Sequence, residues 1–215
     1  MELNLYVNKF KQGRYLFYKW RYELPVIHKL LLAISFACVT GILAQMRFYL
    51  PWSPVPITGQ TFAVLFAGVL LGTWGGVSQL LYLGVGVAGV PWFAGGNSGL
   101  GYLAGPTGGY LVGFVLAAFF LGYCVDKYIK TRQFLPMFGL MLFADIVFIY
   151  GLGLLQLYGW LTIVQASPVA LGELLFIGML PFLIGDLIKI GIAAALTKGI
   201  TPKQSYGNEI DATAF

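Results

Sequence analysis

The sequence predicts an all-α integral membrane protein that crosses the bilayer six times with both termini on the cytoplasmic side. Three observations carry this. Of the 215 residues, 59% are hydrophobic and 10% charged, with a mean hydropathy of +0.81, which leaves too little charged surface for a water-soluble core of this size. The 29 glycines are spread through apolar runs and do not gather in a linker. The basic residues cluster between those runs: Lys9, Lys11, Arg14, Lys19, Arg21 and Lys29 before the first, Lys127, Lys130 and Arg132 in one loop, Lys198 and Lys203 after the last.

Residues 1–29 read as a basic, aromatic cytoplasmic arm. No small-residue cleavage pattern follows the apolar run, so the first span is expected to be retained. The stretch from Tyr6 to Tyr22 is expected to lie as a juxtamembrane interfacial segment. The membrane domain, 30–198, opens with a span from Leu30 to Met46. From Ile57 to Val90 the apolar character is too long for the roughly 20 residues of one crossing, and Gly72-Thr-Trp-Gly-Gly76 divides it into two. Tyr110 to Val125 makes a fourth span and Phe134 to Tyr158 a fifth. Val169 to Leu180 is too short to cross and is expected to lie along the interface. The sixth span runs from Pro181 to Leu196, proline being tolerated at a helix start. The tail, 199–215, is polar and expected to be mobile.

Charge fixes the orientation. With the N-terminus inside, eleven of the thirteen Lys and Arg residues are cytoplasmic, leaving Arg47 outside and Lys189 within the membrane. The net charge of +5 is therefore a signature of topology and not of nucleic-acid binding. The loops Phe48 to Gln60 and Pro91 to Gly109, rich in glycine, proline and aromatics, face outward.

Asp186 and Lys189 are the first candidates for function. Their i, i+3 spacing sets both on one helix face, and a charge at bilayer depth costs roughly 2.5–3.5 kcal/mol on insertion scales, so such residues line a ligand or ion path or pair with one another. Two outer loops converge near them. Pro54-Val-Pro-Ile-Thr-Gly-Gln-Thr-Phe62 carries Gln60, whose amide both donates and accepts; Thr58 and Thr61 have an alternative use as helix caps, and Gln60 itself reads equally well as site or cap. The stretch Pro91 to Gly109 holds seven glycines among nineteen residues and folds readily over a ligand. It offers Asn97 as its one amide and Trp92, Phe93 and Tyr102 as apolar walls, although Asn97 also suits a left-handed turn position in a mobile outer loop. Asp145 is a second intramembrane acid, assigned first to bonding between helices and second to the site.

Other chemistries find no support. Gly-x4-Gly-Lys-Ser/Thr is absent, so no phosphate loop is expected. Cys38 and Cys124 lie in apolar runs without a Cys-x2-Cys spacing, and His28 has no partner at metal-ligand spacing. Neither a metal nor a cofactor is expected.

Four stretches, in this order, resemble the BioY family, the biotin-binding S components of energy-coupling-factor (ECF) vitamin transporters. They are Pro54 to Gly72, Val90-Pro-Trp-Phe-Ala-Gly-Gly96, Gly105-Pro-Thr-Gly-Gly-Tyr-Leu-Val-Gly-Phe114 and Pro181-Phe-Leu-Ile-Gly-Asp-Leu-Ile-Lys189. The resemblance implies a compact six-helix S-component fold in the plasma membrane, with the vitamin enclosed near the outer face. It matches Asp186, Lys189 and Asn97 to biotin-contacting positions. It further implies docking onto a transmembrane coupling protein with paired ATPases, through small residues of the first span such as Ala33 and Ala37, although Ala-x3-Ala equally suits internal packing. The arm and the tail match nothing in the family pattern.

Rival readings are an S component for another vitamin and a solitary proton-coupled carrier. An intramembrane aspartyl protease built on Asp145 and Asp186 is disfavoured, because Phe143-Ala-Asp145 and Leu183-Ile-Gly-Asp186 lack the Tyr-Asp and Gly-x-Gly-Asp contexts expected of one.

Overall fold

The computed structural model describes residues 2–212, with side chains from Tyr6 onward. Helix α1 (Glu2–Glu23) ends just before Pro25, which caps α2 (Val26–Gln45). A small antiparallel pair, β1 (Arg47–Phe48) and β2 (Ile57–Thr58), closes the next loop and leads into α3 (Gln60–Leu71) and α4 (Thr73–Val87). The break foreseen at Gly72 is there: this residue ends α3 and begins α4 at φ 63°, a left-handed conformation that favours glycine. A short α5 (Gly99–Leu103) precedes α6 (Gly108–Lys127). Next comes a continuous helical rod, Phe134–Val164, made of α7 (Phe134–Phe143), a π-helical segment Ala144–Tyr150, α8 (Gly151–Gly159) and a second π-helical segment Trp160–Val164. Helix α9 (Leu171–Gly178) leads into α10 (Leu180–Ile200), which has proline in its first turn.

Among the described residues, four helices are long and apolar enough to cross a membrane: α2, α6, the rod and α10. Helices α3 and α4 have 12 and 15 residues, or about 18 and 22 Å against a hydrocarbon core of about 30 Å. Helix α6 is the axis of the bundle. In its most apolar stretch 72% of residues are buried, against 22% in α2 and 33% in α10. Small residues on α6, Gly113, Ala117, Ala118 and Gly122, are buried where α3, α4 and the rod pack against it, which permits close helix contact.

Two expectations need correction. Ala33 and Ala37 are both fully buried, on the face α2 turns to α4, where the Gln79 amide also donates to the Thr40 hydroxyl at 3.1 Å. Their spacing serves packing inside the chain, and neither presents a surface to a partner. The outward face of α2 carries Ile27, Leu31, Ile34 and Ile42 instead. The tail, through residue 212, is held in place: Thr201, Tyr206 and Glu209 are buried, and Arg132 donates to Glu209 at 2.7 Å, to the Pro202 carbonyl at 3.3 Å and to the Gln204 carbonyl at 3.2 Å. Residues 213–215 lie outside the described residues.

Candidate functional site

At the end of the bundle where α3, α6 and α10 begin, a cavity opens whose lining is mostly apolar with a few polar side chains, the usual make-up of a small-molecule site. Its polar wall comes from α10. Asp186 is 5% exposed and accepts from the Lys189 ammonium at 2.8 Å and from the Tyr150 hydroxyl. All three residues line the cavity. Lys189 makes no second hydrogen bond among the described residues, so two of its three N–H donors remain available on the cavity side.

Gln60 faces the cavity from the first turn of α3. Its side-chain oxygen accepts from the Thr58 hydroxyl at 3.1 Å, and its amide donates to the Tyr82 hydroxyl at 3.0 Å. The Thr58 hydroxyl in turn accepts from the Gln60 backbone N–H at 3.3 Å, so cap and cavity wall coexist in one cluster. Tyr102 lines the cavity from α5, stacked on Phe93 with ring centroids 5.2 Å apart. Tyr110 and Phe114 of α6, Ile149 and Phe182 share the remaining apolar wall with Val55, Pro56, Ile57, Ala94 and Leu111.

Asn97 is not part of this wall. Its side-chain amide donates to the Ala94 carbonyl at 2.7 Å, and its backbone carbonyl accepts from Phe93 N–H at 3.0 Å, so it locks the turn Phe93–Asn97 shut. Trp92 and Phe93 likewise stand behind the wall and not in it. The Trp92 indole N–H donates to the Tyr82 carbonyl at 2.9 Å. Phe93 is fully buried and fills the space a side chain at Gly86 would need, so the loop is pressed onto α4 at a point where only glycine fits.

Asp145 is also placed differently from expectation. It is fully buried in the π-helical segment, and neither carboxylate oxygen has a hydrogen-bond partner among the described residues. It bonds no neighbouring helix and does not line the cavity.

Several residues that hold the loops around the cavity escape sequence reasoning. Gln45 anchors the loop after α4 by donating to the Trp92 and Phe93 carbonyls, each at 3.1 Å, and by accepting from Gly96 N–H at 3.2 Å. Gln156 donates to the Leu103 and Gly105 carbonyls at 2.6 and 2.8 Å. Tyr110 donates to the Gly178 carbonyl at 2.8 Å and Ser53 to the Ile177 carbonyl at 2.6 Å. These bonds clamp every loop around the cavity. The available signal was a lone glutamine in each of two apolar helices.

Comparisons with known proteins bear on the family and the fold. The BioY family model matches residues 14–205. A probable biotin transporter BioY of Methanothermobacter thermautotrophicus is 53% identical over 146 residues, covering 67% of this chain and 93% of that one. The biotin transporter BioY of Rhizobium etli is 34% identical over 154 residues, covering 68% of this chain and 78% of that one. A crystal structure of the S-component for biotin from an ECF-type ABC transporter superposes with a TM-score of 0.69 at 25% identity, covering 80% of this chain and 89% of the other. With its helical membrane fold, its lined cavity and a family match over nearly its whole length, this chain belongs to the BioY family.

Proposed function

We propose that the chain is the biotin-binding subunit of an uptake system in the plasma membrane, capturing biotin at the outer face and delivering it inward with an ATP-driven ECF module. It is a transporter subunit and not an enzyme; any ATP hydrolysis belongs to partner ATPases. The observation that carries this reading is the Asp186–Lys189 pair set in the wall of an otherwise apolar cavity.

Biotin has a flat ureido head, an apolar thiophane ring and a carboxylate tail. In this reading Asp186 accepts the ureido N–H groups, a charge-assisted bond. Lys189, with donors to spare, bonds the ureido oxygen or the carboxylate. Gln60 and Tyr102 supply further polar and stacking contacts, and Tyr110 and Phe114 take the place first assigned to Trp92 and Phe93 beside the ring. The positive-inside distribution supports six crossings with both termini cytoplasmic, α3 and α4 forming two short ones. A coupling protein would then seat on the exposed apolar face of α2, which carries Leu31 and Ile34, and not on Ala33 or Ala37.

The test is calorimetric titration of the purified protein in detergent with biotin, using riboflavin as control. One-to-one binding of biotin with nanomolar Kd and no riboflavin heat supports the assignment. A folded protein that binds riboflavin and ignores biotin refutes it.

A further inference from the structure

We propose that α1 is seated in the headgroup layer of the membrane at the basic end of the bundle and holds anionic lipid there. Along one face, α1 touches the ends of three spans. The Arg14 guanidinium donates to the Gly199 carbonyl at the end of α10 (3.1 Å), Tyr18 donates to the Val69 carbonyl of α3 (3.4 Å), and Arg21 donates to the Leu70 carbonyl (3.3 Å) and pairs with Asp126 at the end of α6. Residues 14 to 21 cover only about 10 Å of helix. A helix that meets three span ends over so short a distance runs across the mouth of the bundle, roughly in the membrane plane.

Ahead of Arg14 the helix leaves the protein. Residues 6–13 are all exposed, so this part of α1 overhangs the bundle by about 12 Å at 1.5 Å per residue. On this overhang Tyr6, Val7 and Phe10 fall on one side of the helix, at 69%, 42% and 60% exposure, and Phe17, about two and three turns further along the same line from Phe10 and Tyr6, continues the row at 44%. Asn8 and Gln12 occupy the opposite side. Lys9 and Lys11 flank the row, and neither pairs with an acid among the described residues. Aromatic rings prefer the membrane–water interface, and an amphipathic helix with lysines beside its apolar face binds a surface bearing anionic lipid. A solvent-facing location would leave the aromatic row in water and the lysines without counter-charge. The arm is thereby an anchor that fixes the tilt of this end of the bundle against the headgroups.

The experiment uses the full chain with Cys38→Ser and Cys124→Ala, spin-labelled at Phe10→Cys or at Gln12→Cys, in vesicles of phosphatidylcholine with or without phosphatidylglycerol. Monodisperse elution and unaltered thermal unfolding certify each variant, so the outcome is independent of biotin binding. The ratio of oxygen to nickel-chelate collisions at residue 10 is expected to exceed that at residue 12 several-fold in phosphatidylglycerol vesicles, and the excess to collapse in Lys9→Glu/Lys11→Glu. Equal ratios at the two sites would place the helix in water and overturn the proposal. So would a label at residue 10 hidden from both reagents, which would mean that protein covers the row, or an excess that persists undiminished without phosphatidylglycerol.

Discussion

Two buried ion pairs sit at opposite ends of the bundle, and they differ in how completely their bonding capacity is used. At the basic end, Arg132 and Glu209 have side chains that are fully buried. The guanidinium donates to Glu209, to the Val125 carbonyl and to two tail carbonyls, and its face lies 4.3 Å from the Tyr206 ring centroid. Glu209 accepts four hydrogen bonds, two on each oxygen. At the other end Asp186 accepts two bonds, Lys189 makes one, and its side chain is 21% exposed to a cavity. A saturated pair is a fastener. A pair with spare donors facing a cavity awaits a ligand, since a group buried without its full complement of bonds is costly to leave that way.

The largest effect that would sharpen the contrast is Arg132→Met. It leaves Glu209 buried without its counter-charge and is expected to cost about 3–5 kcal/mol of stability, read as an early thermal unfolding transition, while the Kd for biotin in the folded fraction stays unchanged. A tenfold loss of affinity would break the comparison by coupling the two ends. Next comes Asp186→Asn, expected to weaken biotin binding at least a hundredfold, about 2.7 kcal/mol, with little change in melting. Tyr150→Phe removes one donor to Asp186 and is expected to cost about 1 kcal/mol of affinity, or some fivefold; no change would make Tyr150 purely structural.

Proton titration separates the ends again. Burial alone would raise the Glu209 pKa, but bonds from Ser205, the Tyr206 N–H, Arg132 and the Gly207 N–H outweigh it and hold the carboxyl down at about 2, below its ordinary 4.5. A depressed carboxylate pKa contributes stability in full above about 4.5, and that stability is lost as the pH falls towards about 2. Protease access to the tail, mapped by mass spectrometry, should therefore rise across that window. The smallest expected effect is that of Asn97→Ala. Its amide bonds the carbonyl of Ala94, a lining residue, without lining the cavity itself, so biotin affinity should fall less than about threefold. A loss beyond tenfold would return Asn97 to the contact position that the family resemblance first gave it.

The reasons for success and failure in the sequence are physical. Unbroken apolar runs and a proline start made the rod and α10 legible, and the i, i+3 spacing brought Asp186 and Lys189 to one cavity wall. Gly72 was legible because few other residues accept its backbone conformation. Tyr150 was not, because it ends a π-helical segment, Ala144–Tyr150, whose wider turns shift its phase relative to a regular helix. Ala33 and Ala37 were ambiguous from the outset: close packing within a chain and docking between chains call for the same small residues. The fixed tail was invisible, since Arg132 and Glu209 are 77 residues apart and no local pattern announces their meeting.

The most direct test of the central claim is to titrate biotin into Asp186→Asn and Arg132→Met side by side and to record the thermal unfolding of each. The account predicts a double dissociation: affinity lost with the fold intact in the first, stability lost with affinity intact in the second. Full affinity in a folded Asp186→Asn protein would contradict it and move the binding site away from the α10 pair.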